Sequence, residues 1–270
     1  MKIVFFSFIL FSFISSISAQ TINIDYQVTV NPYSYTCKRS VYKYILSGTS
    51  SLYYNDVNDI NIFPYIDWEP EIIKEKKGVK TVKIDDGHIV KIMQEYLYKN
   101  YNTEIIIYNK PLVFSEILVI KEPLQLFTWQ IIPNVDTLIL GYHCQKAKAS
   151  FRGREYTAYF SPEINMFGGP WKFDGLPGLI LSVKDEDEYF IIEPIKLSVS
   201  ENNVPIKNPF VKERDIITWD EYTQAYFKKM KDILKLSKAN SSAGETTKLI
   251  IKSGIEDLGF KQLSTDDLKN

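Results

Sequence analysis

The stretch GYHCQKAKASFRGREYTAYFSPEINMFGGPWKFDGLPGLILSV, residues 141–183, organises the rest of the chain. It contains six of the twelve glycines and two of the four arginines. Many of the backbone conformations that need glycine therefore lie in this stretch. The stretch also contains planar cationic donors, the arginine side chains. Its middle part, residues 168–180, reads GGPWKFDGLPGLI. Two turns so close together, an Asp-Gly turn and a Pro-Gly turn, predict a rigid segment that reverses the chain between strands.

Two strands precede the reversing segment, one at residues 142–151 and one at residues 154–160, and a short turn at Arg152 and Gly153 joins them. The two-residue period puts Arg154, Tyr156 and Phe160 on one face. An arginine on an apolar face is costly unless a carboxylate or carbonyl groups meet it.

Glu163 and Asp174 are acids close to Arg154 in the sequence. We therefore expect a charge-assisted pair between Arg154 and one of them, which would hold the loop in place. The alternative is that Arg152 or Arg154 binds an anionic ligand.

The turn residues predict how the segment folds. Asp174 and Gly175 form a tight-turn dipeptide, and Pro177 and Gly178 stand as in positions i+1 and i+2 of a type II turn. Two reversals in so few residues would bring the Trp171 and Phe173 rings back onto the next strand as a plug. Gly178 would lack a Cβ either because its φ is positive or because another backbone passes close to it.

The same residues resemble the GLPGLI family of secreted or periplasmic Bacteroidota proteins. The resemblance covers about forty residues, from Cys144 to the six residues after which the family is named. The matching positions are Cys144 with Lys146 and Ala147, then Gly153, Arg154, Tyr156 and Ala158, then Gly169 and Pro170, and finally Gly175, Leu176, Pro177, Gly178, Leu179 and Ile180. Tyr159 departs from the pattern, since members often have Trp there. The family has no assigned activity, so the resemblance implies a compartment and a fold only.

Outside this stretch, short alternating or apolar segments are separated by Asn, Gly and Pro, and no helix alternates with them. The pattern predicts a mainly β fold: a large, curved, half-barrel-like antiparallel sheet. One amphipathic helix is predicted at residues 218–234, because Thr218 and Glu221 form a capping box ahead of an apolar stripe. It packs on the sheet in this interpretation, and the alternative is a partner-binding helix. We expect one GLPGLI-type domain at residues 20–237 and a partly flexible tail at residues 238–270.

Residues 1–19 have a basic start, an apolar run and small residues before Gln20, as in a signal peptide. The alternative is an uncleaved anchor helix, although the apolar run is short for a membrane span. Export predicts a periplasmic or extracellular protein, with no transmembrane helix after cleavage. In an oxidising compartment, Cys37 and Cys144 would form a disulfide, the alternative being two separate buried thiols.

The sequence offers little catalytic chemistry. The formal charge of -1 argues against a nucleic-acid partner. Neither G-x-S-x-G nor a zinc-binding pattern occurs, and His143 points away from its neighbour Cys144 on a strand, so we expect no metal, no cofactor and no catalytic residue. A general acid at Asp174 is the leading catalytic alternative, and whether the protein is an enzyme stays open.

The expected function is a non-catalytic binding or carrier-like module of the cell envelope, with an apolar cleft between sheet and helix for a hydrophobic small molecule or lipid. The alternative is a docking protein that binds another envelope protein, and an uncharacterised enzyme ranks third. The residues predicted to form the ligand or docking surface are Arg152, Arg154, Tyr156, Phe167, Trp171, Phe173 and Asp174.

Overall fold

The computed structural model describes residues 20–30, 38–55, 70–76, 79–83, 94–112, 116–239, 246–251, 256, 258 and 262–264. The first strands are β1 (Thr21–Val30), β2 (Lys38–Ser47), β3 (Ser50–Asn55), β4 (Pro70–Lys76), β5 (Val79–Lys83), β6 (Tyr96–Asn100), β7 (Ile105–Leu112) and β8 (Glu116–Pro123). They are followed by β9 (Gln130–Ile139), β10 (Tyr142–Phe151), β11 (Arg154–Ser161), β12 (Leu179–Asp185), β13 (Phe190–Ser200), β14 (Ile216–Ile217), α1 (Trp219–Ala239), β15 (Thr246–Ile251) and β16 (Gln262–Ser264).

Twelve strands form one open sheet in the order β14-β8-β7-β6-β3-β2-β1-β13-β12-β11-β10-β9. Neighbours are antiparallel except the short β14, which runs parallel to β8. This confirms the predicted mainly β fold, with a large antiparallel sheet that does not close and one helix near the C-terminus. The strand boundaries predicted at Tyr142 and Phe151 are those of β10.

The core lies on one face of this sheet, because apolar side chains recur at every second position. In β1 the residues Ile22, Ile24, Tyr26, Val28 and Val30 are all buried, while the positions between them are on average more exposed. This is the alternation of a strand with one buried face. The opposite face of β6, β7 and β8 has a smaller apolar cluster, in which Phe210 covers the sheet.

A second sheet was not predicted. It has the order β16-β15-β4-β5, so strands from the first third of the chain pair with strands that follow the helix. The segment predicted as a partly flexible tail therefore contributes two strands, and it also contributes the buried side chains of Glu256 and Leu258.

The helix packs between the two sheets, against β7 and β8 on one side and β15 and β16 on the other. It ends at Ala239, five residues later than predicted. Its buried side chains recur every fourth residue, at Tyr222, Tyr226, Met230 and Leu234, which is the spacing of one helical face.

The predicted capping box is present at the start of the helix. The Glu221 backbone N–H donates to Thr218 Oγ1 at 3.2 Å, and the Thr218 N–H donates to Glu221 Oε2 at 2.7 Å. This reciprocal pair satisfies donors that the first turn would otherwise leave free. Of the residues that the structure describes, no helix is both long and apolar enough to cross a membrane.

The predicted disulfide between Cys37 and Cys144 is not formed. Cys144 is a free, buried thiol in β10, and Cys37 lies outside the described residues. The predicted signal peptide, residues 1–19, also lies outside the described residues.

Candidate functional site

The loop between β11 and β12, residues 162–178, is the reversing segment that the sequence singles out. Gly168 pairs in parallel with Leu179, and the Ile180 N–H donates to Gly168 O at 2.8 Å. Within the loop, the Phe173 N–H donates to Pro170 O at 3.1 Å, which closes a turn with Trp171 at φ +49°. The loop at Gly168 therefore lies beside the start of β12 and runs parallel to it.

The predicted aromatic plug is present, with Phe173 fully buried at its centre. The Phe173 ring centroid lies 5.0 Å from that of Trp171, 5.0 Å from that of Phe127 and 5.1 Å from that of Tyr156. These are the distances at which aromatic pairs attract each other beyond simple burial. The plug joins the loop to β11 and to the segment that precedes β9.

Gly178 meets the predicted close approach of another backbone. A Cβ at this position would overlap the carbonyl oxygen of Ser161 and would lie 2.7 Å from the Ser161 carbonyl carbon and 3.0 Å from Pro162 Cα. The predicted type II turn is wrong, because the Gly178 N–H donates to Leu176 O at 2.8 Å and closes a tighter, three-residue turn.

The first ion-pair site is formed by Lys99 of β6, which is fully buried and whose ammonium group binds the loop. Its Nζ donates to Gly169 O at 3.0 Å, to Phe173 O at 2.7 Å and to Asp174 Oδ2 at 3.0 Å. The three acceptors match the three protons of an ammonium group. Burial lowers the pKa of Lys99, and the attraction of Asp174 opposes that shift.

Asp174 is held from every side. Besides Lys99, it accepts hydrogen bonds from Tyr101 Oη at 3.2 Å and from the Gly175 N–H at 2.9 Å, and its backbone carbonyl accepts from Trp129 Nε1 at 2.7 Å. A buried carboxylate needs partners such as these, and together they fix Asp174 within the loop. The general acid considered from the sequence stays a hypothesis.

The second ion-pair site lies around Lys172, which is also fully buried. Its Nζ donates to Glu122 Oε2 at 2.5 Å, to Glu256 Oε1 at 2.7 Å and to Tyr108 Oη at 2.8 Å, and Tyr108 in turn donates to Glu122 at 2.7 Å. Lysine, both glutamates and tyrosine thus form one hydrogen-bonded group. With Arg152 they are called the lysine–glutamate cluster below.

Arg152 completes this cluster from the β10–β11 turn. Its guanidinium forms ion pairs with both Glu122 and Glu256. The Trp219 ring, at the start of the helix, covers the cations: its centroid lies 3.7 Å from Arg152 Cζ and 4.7 Å from Lys172 Nζ. Cation–π contact of this kind is strongest where water is excluded.

The charges shift one another's ionisation. Burial opposes ionisation of Glu122, but the attraction of Lys172 and the hydrogen bond from Arg152 lower its pKa to about 2. Burial lowers the pKa of Lys172, against the attraction of Glu256 and Glu122. Burial, Glu256 and Glu122 raise the pKa of Tyr108, which keeps the phenol proton that it donates.

The predicted partner of Arg154 is wrong. Arg154 pairs with Asp185 of β12, and its guanidinium carbon lies 4.8 Å from the centroid of the Tyr189 ring. The predicted acids bind elsewhere, since Glu163 accepts from the backbone N–H of His143 and Asp174 binds Lys99. The expectation of a structural arginine pair is confirmed with a different carboxylate.

The residues predicted to form a ligand or docking surface do not form one surface. Phe167 is 60% exposed, whereas Tyr156, Phe173 and Asp174 are buried. Arg152 and Arg154 bind internal carboxylates. Buried side chains do not contact a partner of the folded domain, so Tyr156, Phe173 and Asp174 are not part of an exposed surface. Trp171 is partly buried, and the predicted binding role of the remaining residues stays a prediction.

Sequence reasoning missed Lys99, Lys172 and Glu122. One signal was present for Lys99: it stands two residues after Leu97, on the same face of β6, and both are buried. Alternation thus places a lysine in the core, where a buried charge requires a partner. No comparable signal existed for Lys172, because Trp171 at φ +49° breaks the alternation of the loop.

Comparison of the chain with solved structures shows a similarity of fold. Two crystal structures of PNGF-II are similar: the P21 form has a TM-score of 0.51 at 15% identity, and the C2 form has 0.49 at 16% identity. Each comparison covers 78% of this chain and 33% or 34% of PNGF-II, so the chain spans about a third of that protein's length. No family model and no curated protein matches the chain, and the resemblance to the GLPGLI family stays a prediction. At such identity the likeness to PNGF-II is one of fold alone.

Proposed function

We propose that this chain is an exported, non-catalytic binding module that docks to another protein of the cell envelope through the free edge of its large sheet. The observation that supports the proposal is the exposure of β9. In this ten-residue strand only Ile132 and Ile139 are partly covered, and the exposed positions include Ile131, Val135 and Leu138. Exposed apolar residues gathered on one element are typical of interaction sites.

The two ends of the sheet differ. At one end, β14 is two residues long and half-buried. At the other end, no strand of the described part of the chain pairs with the outer edge of β9. A long edge strand has unpaired backbone donors and acceptors, which an extended segment of another protein can meet by adding as a further strand.

The shape of β9 limits what can bind there. Its register against β10 jumps from Asp136 to Ile132, so Pro133, Asn134 and Val135 bulge out of the ladder. Proline and bulges on an edge prevent long, unselective strand pairing. The edge therefore offers two short pairing segments, and the partner that fits is a short extended segment with apolar side chains.

A carrier with a cleft between sheet and helix has less support. The side chains of Tyr222, Tyr226, Met230 and Leu234, which face the core from the helix, are at most 1% exposed. These side chains are shielded from solvent, so in the described part of the chain no open cleft lies against this face of the helix. A hydrophobic small molecule or lipid is therefore an outcome of the test rather than the proposed ligand.

In the test, a photo-crosslinking amino acid replaces Leu138, whose side chain is 63% exposed. Cells that export this variant are then irradiated to form crosslinks. The protein that crosslinks is then purified, and its affinity for the unmodified chain is measured. We expect Leu138→Lys to weaken binding tenfold or more, because burying one leucine contributes about 1.5–3 kcal/mol.

The matched control is Ile195→Lys in β13, an exposed apolar residue four strands away in the sheet. It should leave the affinity unchanged. Adducts with lipid alone would favour the carrier, and equal losses from both substitutions would contradict docking at β9.

A further inference from the structure

The lysine–glutamate cluster contains a pocket whose occupant comes from the C-terminal segment. The carboxylate of Glu256 lies against Lys172 Nζ at 2.7 Å, against the Arg152 guanidinium, and 3.9 Å from Lys110 Nζ. The Trp219 ring covers the cations. Three cations and an aromatic face thus surround one carboxylate, whose side chain is 1% exposed.

The walls of the pocket belong to the scaffold. Lys172 stands on the plugged loop, Arg152 in a two-residue turn, Lys110 in β7 and Trp219 in the first turn of the helix. Glu256 belongs to none of the helices and strands. The cations therefore belong to parts of the chain other than the segment that carries Glu256, and donors held by a fold bind an anion at a lower entropic cost.

The charges require an anion in this position. Among the described residues, Lys172 and Arg152 each pair with both Glu122 and Glu256. Without Glu256, these two cations share the single carboxylate of Glu122. Buried cations without a counter-ion are strongly unfavourable, so the pocket attracts another anion when Glu256 leaves.

We propose that this pocket is a carboxylate-binding site that Glu256 occupies as an intramolecular ligand. A carboxylate from another source, either a free carboxylic acid or an acidic residue of a peptide, binds there when the C-terminal segment is displaced. The planar guanidinium of Arg152 beside an ammonium group favours a carboxylate over a spherical anion. The proposal does not depend on docking at β9, because the two sites share no residue.

The test uses Glu256→Ala in the full chain, and tryptophan fluorescence monitors its unfolding in urea. The substitution should lower stability, and sodium acetate should restore it. With a Kd near 10 mM, 100 mM acetate raises the ratio of folded to unfolded protein about tenfold. Sodium chloride at the same concentration should restore much less.

A second arm replaces acetate by the peptide GIEDL, which copies residues 254–258. Binding of the peptide at lower concentration than acetate assigns the site to polypeptide ligands, since the buried Leu258 then contributes. Equal or weaker binding assigns it to free carboxylic acids. If neither restores stability beyond chloride, the proposal is wrong.

The control is Asp232→Ala, which removes an exposed carboxylate that pairs with Lys235 on the helix surface. Acetate should stabilise this variant no more than it stabilises the unmodified chain. An equal acetate response in both variants would refute a specific pocket. If Glu256→Ala does not fold in buffer, Glu256→Ala and Glu256→Gln are refolded at increasing acetate concentrations. If the yield of folded protein in acetate does not exceed the yield in sodium chloride, the proposal is wrong.

Discussion

Replacing Gly178 by Ala tests how tightly the loop is packed. The new Cβ would overlap the Ser161 carbonyl oxygen and would stand 2.7 Å from its carbon and 3.0 Å from Pro162 Cα. Real Cβ contacts are rarely this short, and the atoms it meets belong to the backbone. Ser161 is fully buried and pairs with Leu179, so it cannot move away without breaking the β11–β12 ladder.

We expect this substitution to lower the free energy of unfolding by roughly 3 kcal/mol, the upper end of the usual cost of overpacking. Equilibrium unfolding in urea measures it, because a loss of stability lowers the midpoint while the slope is kept. The matched control is Gly141→Ala. Gly141 has φ +85°, but among the described residues nothing beyond its chain neighbours lies within 4 Å of the new methyl group. Only the backbone conformation then costs free energy there, about 1 kcal/mol.

Both glycines have a positive φ, +158° at Gly178 and +85° at Gly141, and only Gly178 also has the close contact with Ser161. If Gly178→Ala costs no more than Gly141→Ala, the contact with Ser161 contributes nothing and the account of this turn is wrong. If Gly178→Ala does not fold at all, the same comparison is made at the level of refolding yield with both variants.

Two further predictions concern the ion pairs. Lys99→Met should lower the free energy of unfolding by about 3–5 kcal/mol, because it leaves the buried Asp174 carboxylate without its counter-ion. In a double-mutant cycle with Asp174→Asn, measured by urea unfolding, the double variant should lose less stability than the sum of the two single losses, and simple additivity would contradict the pairing. The pKa of Glu122 falls from 4.5 to about 2 on folding, so its charged form contributes stability above pH 4.5 that is lost as the pH falls towards 2; this amounts to about 3 kcal/mol. Unfolding of the unmodified chain and of Glu122→Gln should therefore converge between pH 4.5 and 2, and a constant difference across that range would contradict the shift.

The fold could be predicted largely from the sequence, because its signals are local. Alternation in β1 and β10, and the capping box at Thr218, each depend on residues within a few positions of one another. The aromatic plug could be predicted for the same reason, since Trp171 and Phe173 stand between two turns. The small second sheet could not, since β4 pairs with β15 across most of the chain and neither strand has a distinctive period.

The site depends on contacts that local patterns do not contain. Lys172 binds Glu256, which is 84 residues away in the sequence. Arg154 binds Asp185 because β11 and β12 pair with Tyr156 opposite Asp185, and this register is set by the seventeen-residue loop between the strands. Sequence reasoning identified the arginine and the need for a carboxylate, but proximity in the sequence was the wrong guide to the partner.

The ammonium group of Lys99 has a consequence for the order of folding. It binds two carbonyl groups of a loop that lies 70 residues or more away in the sequence. The loop therefore lacks its central cation until β6 has joined the sheet. Closing so long a segment is slow compared with forming a hairpin. The β10–β11 hairpin can form before this contact, while the loop beside it is completed only after β6 has joined the sheet.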